Sequence, residues 1–479
     1  MNPIPVEAIQ TALGDQRLQT AIYSSTGRLM DKRAHSIDPA EIDDFQGLRA
    51  QANAIKKHAI DNLDYYLEQL EQNVIARGGK VVWCRDANEA ISFVATLAKE
   101  KGVKRIVKSK SMTTEEIDLN EHIEHTGIDV VETDLGEYIL QLAHEKPYHI
   151  VAPALHLTRY EVADIFTGNL HVAREEEPEK QTQIARRVLR EKFLTAELGI
   201  TGANFLIADS GAIVLVENEG NARLSSSAPR IQIAIAGLEK VIPRAQDLAT
   251  FLKVLGRSAT GQPLTVYTSF LSGPRRQGEI DGPEEFYLVL IDNGRTRLLA
   301  DEHKRQSLYC IRCGACLNHC PVYRKIGGHN YPWVYSGPIG AIISPQFHGV
   351  TKDPWLPFAS SLCGACAEVC PVKIDIPKVL LELRSDITIA KRAESAGKWE
   401  RLAFRVFSYV MQRPKLYEMG AAMASAVFPG SQGKWLSSLP SFMSVPPTKN
   451  WLSKRDLPPP AERSFRSLWR ERQRAKGGN

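Results

Sequence analysis

The sequence predicts an α/β plus α architecture: a parallel α/β domain, then a small α-helical domain built around cysteines, with helical segments at both ends. Three observations predict it. Strand-like runs alternate with helical stretches of 10–15 residues from residue 80 onward, the pattern of a parallel sheet with both faces covered. Seven of the eight cysteines crowd into two blocks between residues 300 and 385. Apolar residues recur at helical spacing before residue 78 and after residue 377. The expected domains are a helical segment 1–78, an α/β domain 79–296, a cysteine-bearing domain 300–385 and a helical C-terminal region with a basic tail, 386–479.

Each element has its own signal. Leu48, Ala52, Ile55, Ala59, Leu63, Tyr66 and Leu70 form a helical stripe. KVVWC (80–84) reads as a strand and 87–101 as an amphipathic helix. KRIVKSK (104–110), IDVVETD (128–134) and YHIVAPA (148–154) read as further strands, followed by helices at 113–126, 135–145 and 157–167. A charged helix spans 176–198. Two apolar runs around Asp209-Ser210-Gly211 read as a hairpin over 203–220. RIQIAIAG (230–237), PLTVYTSF (263–270) and EEFYLVLIDNG (284–294) are strands, with a helix at 245–257. A loop rich in Gly, Pro and Trp separates the cysteine blocks, and its length marks it as a functional cover that keeps water away. Beyond Pro377 the chain is helical to about 428, with Trp399, Leu402, Val406 and Val410 on one face; LPPPAE (457–462) is a stiff linker.

The cysteine spacing carries the chemistry. Cys310, Cys313, Cys316 and Cys320 form C-x2-C-x2-C-x3-C-P, and Cys363, Cys366 and Cys370 form C-x2-C-x3-C-P. This is the ligand pattern of a two-cluster ferredoxin, in which the fourth cysteine of each block ligates the other cluster. Cys310, Cys313, Cys316 and Cys370 should therefore share one cluster, and Cys320, Cys363 and Cys366 the second. Ser360 stands where a full second block would have cysteine. The second centre is then a [4Fe–4S] cluster with a non-cysteine ligand, one with an open iron, or a [3Fe–4S] cluster. A hydroxyl from Ser360 or Ser361 is a poor ligand for so soft a site. Structural zinc prefers two separated pairs of ligands, and seven half-cystines cannot all pair. Cys84 lies in an apolar run and reads as a buried core residue.

Bulk properties narrow the function. No apolar run approaches a membrane span, and the N-terminus lacks a basic-then-apolar signal pattern, so the cytoplasm is the expected compartment. The net charge of +5 resides in residues 453–479, with eight Lys or Arg against three Asp or Glu. The remainder is neutral, which argues against a nucleic-acid partner. The tail carries Phe465 and Trp469 among arginines: it is a solvated end helix, or a surface for an acidic partner or the periphery of a membrane. Lys108 and Lys110 precede a helix start and could hold an anion, although Thr113 and Glu116 have capping-box spacing. Glu217, Glu219 and Arg223 cluster after a strand, as turn residues or as a nucleophile or base. No H-x3-H pair and no G-x-G-x-x-G after a strand is present.

The blocks CIRCGACLNHCPVYRKIGGH and SLCGACAEVCPVKI, with KSKSMTTEEI, VVETDLGEYILQL, GITGANFLIADSGAIVLVENEGNARL and DGPEEFYLVLIDNGR, resemble the bacterial lactate utilisation protein B family. The resemblance runs from about residue 40 to the tail. It implies a lactate-utilisation (LUD) domain related to the NagB/RpiA/CoA-transferase-like α/β fold, then an α-helical ferredoxin-like two-cluster domain, then a C-terminal region. It implies an iron–sulfur electron carrier that works with two companion proteins in oxidising L-lactate to pyruvate. Electrons would pass to a quinone or another acceptor. Two other readings compete: the α/β domain itself oxidises a small hydroxy acid, using Glu217, Glu219 or Arg223 with the Ser360-side cluster, or the protein is a regulatory iron–sulfur scaffold.

Overall fold

In the computed structural model the N-terminal stripe forms α1 (Val6–Gly14), α2 (Gln16–Ser36), α3 (Phe45–Asp61) and α4 (Leu63–Ala76). The structure describes the chain apart from residues 1, 394–397, 428–434, 438–451, 453–454, 460, 462 and 477–479. The alternating stretch then gives β1 (Lys80–Cys84), α5 (Ala87–Glu100), β2 (Arg105–Lys108), α6 (Met112–Glu116), α7 (Leu119–Glu124), β3 (Asp129–Glu132), α8 (Leu135–Ala143), α9 (Arg159–Leu170) and α10 (Pro178–Thr195). Next come β4 (Leu198–Thr201), β5 (Phe205–Ile207), β6 (Ala212–Glu217), α11 (Asn221–Ser227), β7 (Ile231–Gly237), β8 (Val241–Ile242), α12 (Leu248–Ala259), β9 (Tyr267–Leu271) and β10 (Glu285–Ile291). Six strands make one wholly parallel sheet in the order β1-β10-β7-β4-β2-β3. A second sheet, β8-β5-β6-β9, contains the expected hairpin of β5 and β6.

Period-two alternation decides which face each side chain takes. Ile231, Ile233 and Ile235 of β7, with Tyr287, Val289 and Ile291 of β10, pack with Ala90, Val94 and Leu97 of α5. The intervening Ala234, Ala236, Leu288 and Leu290 enter a larger core shared with the second sheet and the N-terminal helices. That core runs without a break into the cysteine region, taking in Cys313, Cys316, Cys320, Cys366 and Cys370.

Several elements differ from the sequence expectation. Residues 148–154 are not a strand. Pro153 interrupts the run, its carbonyl accepts the Tyr148 N–H at 2.9 Å, and the segment folds back beneath the first cysteine loop. The strand that fills the sheet is β4, hidden at the end of the charged helix. The helix expected at 113–126 breaks into α6 and α7 at Asp118, whose φ is 48°. The strand expected at 263–270 begins only at Tyr267.

The cysteine-bearing stretch comprises α13 (Arg295–Leu299), α14 (Ala315–Asn318), α15 (Tyr323–Ile326), α16 (Gly337–His348), α17 (Ala365–Val369) and α18 (Ile376–Ala393). The expected cover loop thus contains a helix, α16, with Pro338 in its first turn and Ile339, Ile342, Ile343 and Phe347 buried. Part of the cover comes from the N-terminus. Arg33 of α2 donates to Val369 O, and Arg49 and Asn53 of α3 donate to Cys370 O and Val372 O at 2.9 and 2.7 Å.

The chain divides into two compact units, 1–388 and 389–479. The second holds α19 (Lys398–Met411), α20 (Pro414–Val427) and a terminal helix, Phe465–Lys476. Leu402 and Val406 are exposed rather than packed; the Trp399 side chain lies outside the described residues. In the terminal helix Phe465 stacks on Trp469, and Arg466 and Arg470 pair with Glu418 of α20. Among the described residues no helix is long and apolar enough to cross a membrane.

Candidate functional site

The two cysteine blocks fold as the same local unit. In Arg312-Cys313-Gly314-Ala315-Cys316, Arg312 and Gly314 have φ of 60° and 72°; in Leu362-Cys363-Gly364-Ala365-Cys366, Leu362 and Gly364 have 55° and 86°. Left-handed residues on both sides of the first cysteine curl the chain tightly, and a short helix, α14 or α17, follows. Backbone N–H groups point at sulfur: Arg312 N–H donates to Cys310 Sγ at 3.4 Å, Tyr323 N–H to Cys320 Sγ at 3.4 Å and Ile374 N–H to Cys370 Sγ at 3.3 Å. At the place equivalent to Cys310, Ser360 Oγ accepts from Leu362 N–H at 3.1 Å.

Cys310, Cys313, Cys316 and Cys370 line one small interior cavity, roofed by Ile150, Ile339, Ile374 and Ile376. Cys370 comes from the second block and the other three from the first. Cys320, Cys363 and Cys366 form a second group. Burial, then the charge of Cys320, then that of Cys363, raise Cys366 to about 12. The two groups adjoin, since Cys366 is also near enough to raise Cys316. Cys363 is exposed, and the Ala365 N–H with the Ser361 hydroxyl lowers its pKa, whereas Cys313, Cys316, Cys320, Cys366 and Cys370 are buried.

The surroundings suit an anionic thiolate-bound cluster. Burial lowers the pKa of Arg33 and of Arg49, and nearby thiols, chiefly Cys313 for Arg33 and Cys370 for Arg49, partly offset it. Arg312 is held by Glu239 and sits over the Tyr335 ring at 4.6 Å. Arg33 Nε, Arg312 Nη1 and Tyr331 Oη are buried and have no hydrogen-bond partner among the described residues. Tyr331 neighbours both Cys316 and Cys320. Buried donors around a ring of thiols are what cluster sulfurs satisfy. Without iron, burial keeps the Cys313, Cys316, Cys320, Cys366 and Cys370 thiols protonated, so metal loading releases protons.

A buried ionic network fixes the first loop. Arg295 donates through Nη1 and Nη2 to both Glu116 oxygens at 2.8 Å and through Nε to Glu239 at 2.5 Å; Tyr335 Oη donates to Glu116 at 2.7 Å. Glu239 in turn pairs with Arg312 at 3.3 Å. The carboxyl ends of the sheet are thereby tied to the residue before Cys313.

Between the carboxyl ends of β2, β4 and β7 and the Cys313 loop lies a pocket of about 290 Å³, lined among others by Lys110, Glu219, Lys240, Ile150 and Cys313. Open parallel sheets bind ligands at this edge. Lys240 is 9 % exposed, and its Nζ has no hydrogen bond or ion pair among the described residues. Desolvation by the pocket wall, then the Asp134 carboxylate, raise Glu219 to about 7, although the residue is exposed.

Family descriptions match three consecutive parts of the chain: the LUD domain at residues 67–291, the 4Fe-4S dicluster domain at 306–374 and the lactate utilisation protein B C-terminal region at 384–474. Lactate utilization protein B of Bacillus velezensis is 45% identical over 473 residues, 98% of this chain and 97% of its own length. The chain belongs to the lactate utilisation protein B family. The Bacillus licheniformis and Bacillus subtilis members are each 44% identical, covering 98% of this chain and 97% and 96% of their own. A solved DUF162 family protein from Deinococcus radiodurans is 13% identical, covers 48% of this chain and 98% of its own, and superposes with a TM-score of 0.28.

In this lactate utilisation protein B family member the chain is a lactate-utilisation iron–sulfur protein, and the remaining sequence candidates sort by geometry. Glu217 accepts the Ala222 and Arg223 N–H groups at 2.7 and 2.8 Å, so it caps α11 while also lining the pocket. Arg223 lies over the Tyr267 ring at 4.3 Å, outside the pocket lining. The α6 cap is Ser111, not Thr113, and Glu116 is committed to Arg295. Lys108 is fully buried on Glu115 and Glu132, leaving Lys110 as the lysine that faces the pocket. The pocket meets Cys313, so an acid bound there faces the first loop rather than the Ser360 side. Sequence reasoning missed Lys240, because nothing in Leu-Glu-Lys marks it until the end of β7 is placed.

Proposed function

We propose that this protein is the iron–sulfur electron carrier of a multi-protein system that oxidises L-lactate to pyruvate. Cys310, Cys313, Cys316 and Cys370 hold a [4Fe–4S] cluster. Cys320, Cys363 and Cys366 would hold a second [4Fe–4S] cluster, with Ser360 standing at the sequence position where a full second block would have cysteine. The observation that carries the reading is the shared cavity, which joins Cys370 to three thiols 54 to 60 residues earlier in the chain.

When bound, the clusters supply one-electron storage at two neighbouring points. The chain does the rest. α2, α3 and α16 keep water from the cysteine loops, and Arg33, Arg49 and Arg312 offset negative charge there. The Tyr331 hydroxyl is a donor between the two groups. Companion lactate-utilisation proteins deliver the electrons, and a quinone or another acceptor removes them. The work is done in the cytoplasm, and the basic terminal helix is the surface offered to an acidic partner or to the periphery of the membrane.

Iron and sulfide analysis with EPR on anaerobically purified protein tests the cluster assignment. About eight irons per chain are expected, and about seven would replace the second cubane with a trinuclear cluster. Cys313→Ala should abolish the first cluster signal and growth on lactate; undiminished growth would refute the carrier role.

A further inference from the structure

A separate cavity of about 400 Å³ opens at the β3 edge of the parallel sheet, where Glu132 ends its strand. It shares no lining residue with the cysteine cavity or with the pocket beside Cys313. Its walls are acidic. Seven carboxylates line it against a single lysine among the described residues, Lys146, which Asp118 holds at 3.4 Å. Glu115 of α6, Glu132 of β3 and Glu137 of α8 each bring one carboxylate oxygen to within 4.8 Å of the other two. Asn120 of α7 joins them, donating through Nδ2 to Glu132 Oε1 at 2.6 Å.

Acidic side chains gather freely on wet surfaces, but the inner ones here are sheltered. Glu132 and Glu137 are 3 % and 4 % exposed. Glu132 Oε2, Glu137 Oε1 and Asn120 Oδ1 are buried with no hydrogen-bond partner among the described residues, and all three side chains line the cavity. The fully buried Lys108 ammonium engages one oxygen of Glu115 and one of Glu132, at 2.6 and 2.7 Å. Three carboxylates around one ammonium leave two negative charges, and buried charge without a partner is strongly unfavourable.

We propose that Glu115, Glu132, Glu137 and Asn120 bind one hard divalent cation of the Mg²⁺, Mn²⁺ or Ca²⁺ class. Charge selects a divalent ion, which balances the remaining two negative charges. Donor type selects a hard ion, because all four ligands offer oxygen and the set has no thiol or imidazole. Spacing permits a single ion, because oxygens up to 4.8 Å apart can all lie at the roughly 2.0–2.6 Å of metal–oxygen bonds. The ion would brace four successive elements, α6, α7, β3 and α8. Glu116, beside Glu115 on α6, grips Arg295, so the brace leads on toward the first cysteine loop. Cluster chemistry plays no part in the proposal.

Protonation is the rival. Burial, then the charges of Glu115 and Glu132, push the Glu137 carboxyl well above its ordinary range, and two protons would cancel the same charge. Titration of the anaerobic, cluster-loaded full chain with Mn²⁺ at neutral pH, with free Mn²⁺ read by EPR, separates the two. One tight equivalent is expected above the weak binding of exposed carboxylates, and excess Mg²⁺ or Ca²⁺ should displace it. The melting temperature should rise as Mn²⁺ is added. Glu137→Gln should weaken the tight equivalent by at least the roughly ten- to hundred-fold that loss of a residue supporting a metal ligand costs. It should also abolish the melting shift, with iron content and visible spectrum unchanged. Glu115→Gln, at the half-buried carboxylate, should weaken binding in the same direction and serves if Glu137→Gln fails to fold. No tight equivalent in the unaltered chain would overturn the proposal in favour of protons. A tight equivalent that survives both substitutions would overturn it as well, because the ion would then sit elsewhere.

Discussion

Ser360 Oγ receives the Leu362 N–H at 3.1 Å in the way Cys310 Sγ receives the Arg312 N–H at 3.4 Å. The hydroxyl therefore holds the place in its turn that the Cys310 thiol holds in the first. Ser360→Cys should complete a four-thiolate second site and lower that centre's midpoint potential while the first stays put, because a thiolate is softer and more negative than a hydroxyl. An EPR-monitored redox titration reads both. Arg295 is the other residue on which much depends. Arg295→Met leaves Glu116 and Glu239 buried without their main cation, and urea denaturation should show a loss of about 3–5 kcal/mol. The cysteines and Ser360 were legible in the sequence because their spacing is itself the chemical signal. Arg295, Glu239 and Lys240 were not, because each gains its role from a partner brought in by the fold.

At the scale of elements, the two cysteine turns provide an internal comparison. Gly314 and Gly364 have the same left-handed backbone, but a Cβ on Gly314 would meet His149 Cε1 and a Val151 methyl at 3.1 Å, whereas nothing lies within 4 Å of one on Gly364. Gly364→Ala should cost only the backbone strain, about 1–2 kcal/mol. Gly314→Ala should cost more and disturb the spectrum of the first cluster; thermal melts and visible absorbance of the two variants check the order. The same neighbours explain the misread segment 148–154. Its apolar residues resemble a buried strand, yet buried His149 and Ile150 and half-buried Val151 lie against the cysteine loop and not in the sheet. Strands β7 and β10 were readable because each alternates over seven residues between two cores. β4 has four residues, all buried, with no alternation to read.

Across the whole molecule, the Arg295 network makes stability depend on acid. Burial alone would raise the Glu239 carboxyl, but Arg295 and Arg312 outweigh it and hold it at about 2, against 4.5 for an ordinary glutamate. Its folded value is depressed, so its contribution is complete above pH 4.5 and is lost as pH falls from 4.5 toward 2. Melting temperature followed through that window should drop more steeply for the unaltered chain than for Glu239→Gln, which has no proton to take up there. The α/β half of this architecture was legible from alternation alone, while the continuity of its core with the cysteine region depended on long-range packing. The hydrogen bonds from α2 and α3 onto the second cysteine block, up to 336 residues away in the chain, also bear on biosynthesis. A ribosome releases that covering first and the sulfur ligands beneath it hundreds of codons later. The N-terminal helices can dock on the second sheet while the rest is translated, but their hydrogen bonds to the second cysteine block wait for residues 369–372, and the metal has its widest route inward before those bonds close.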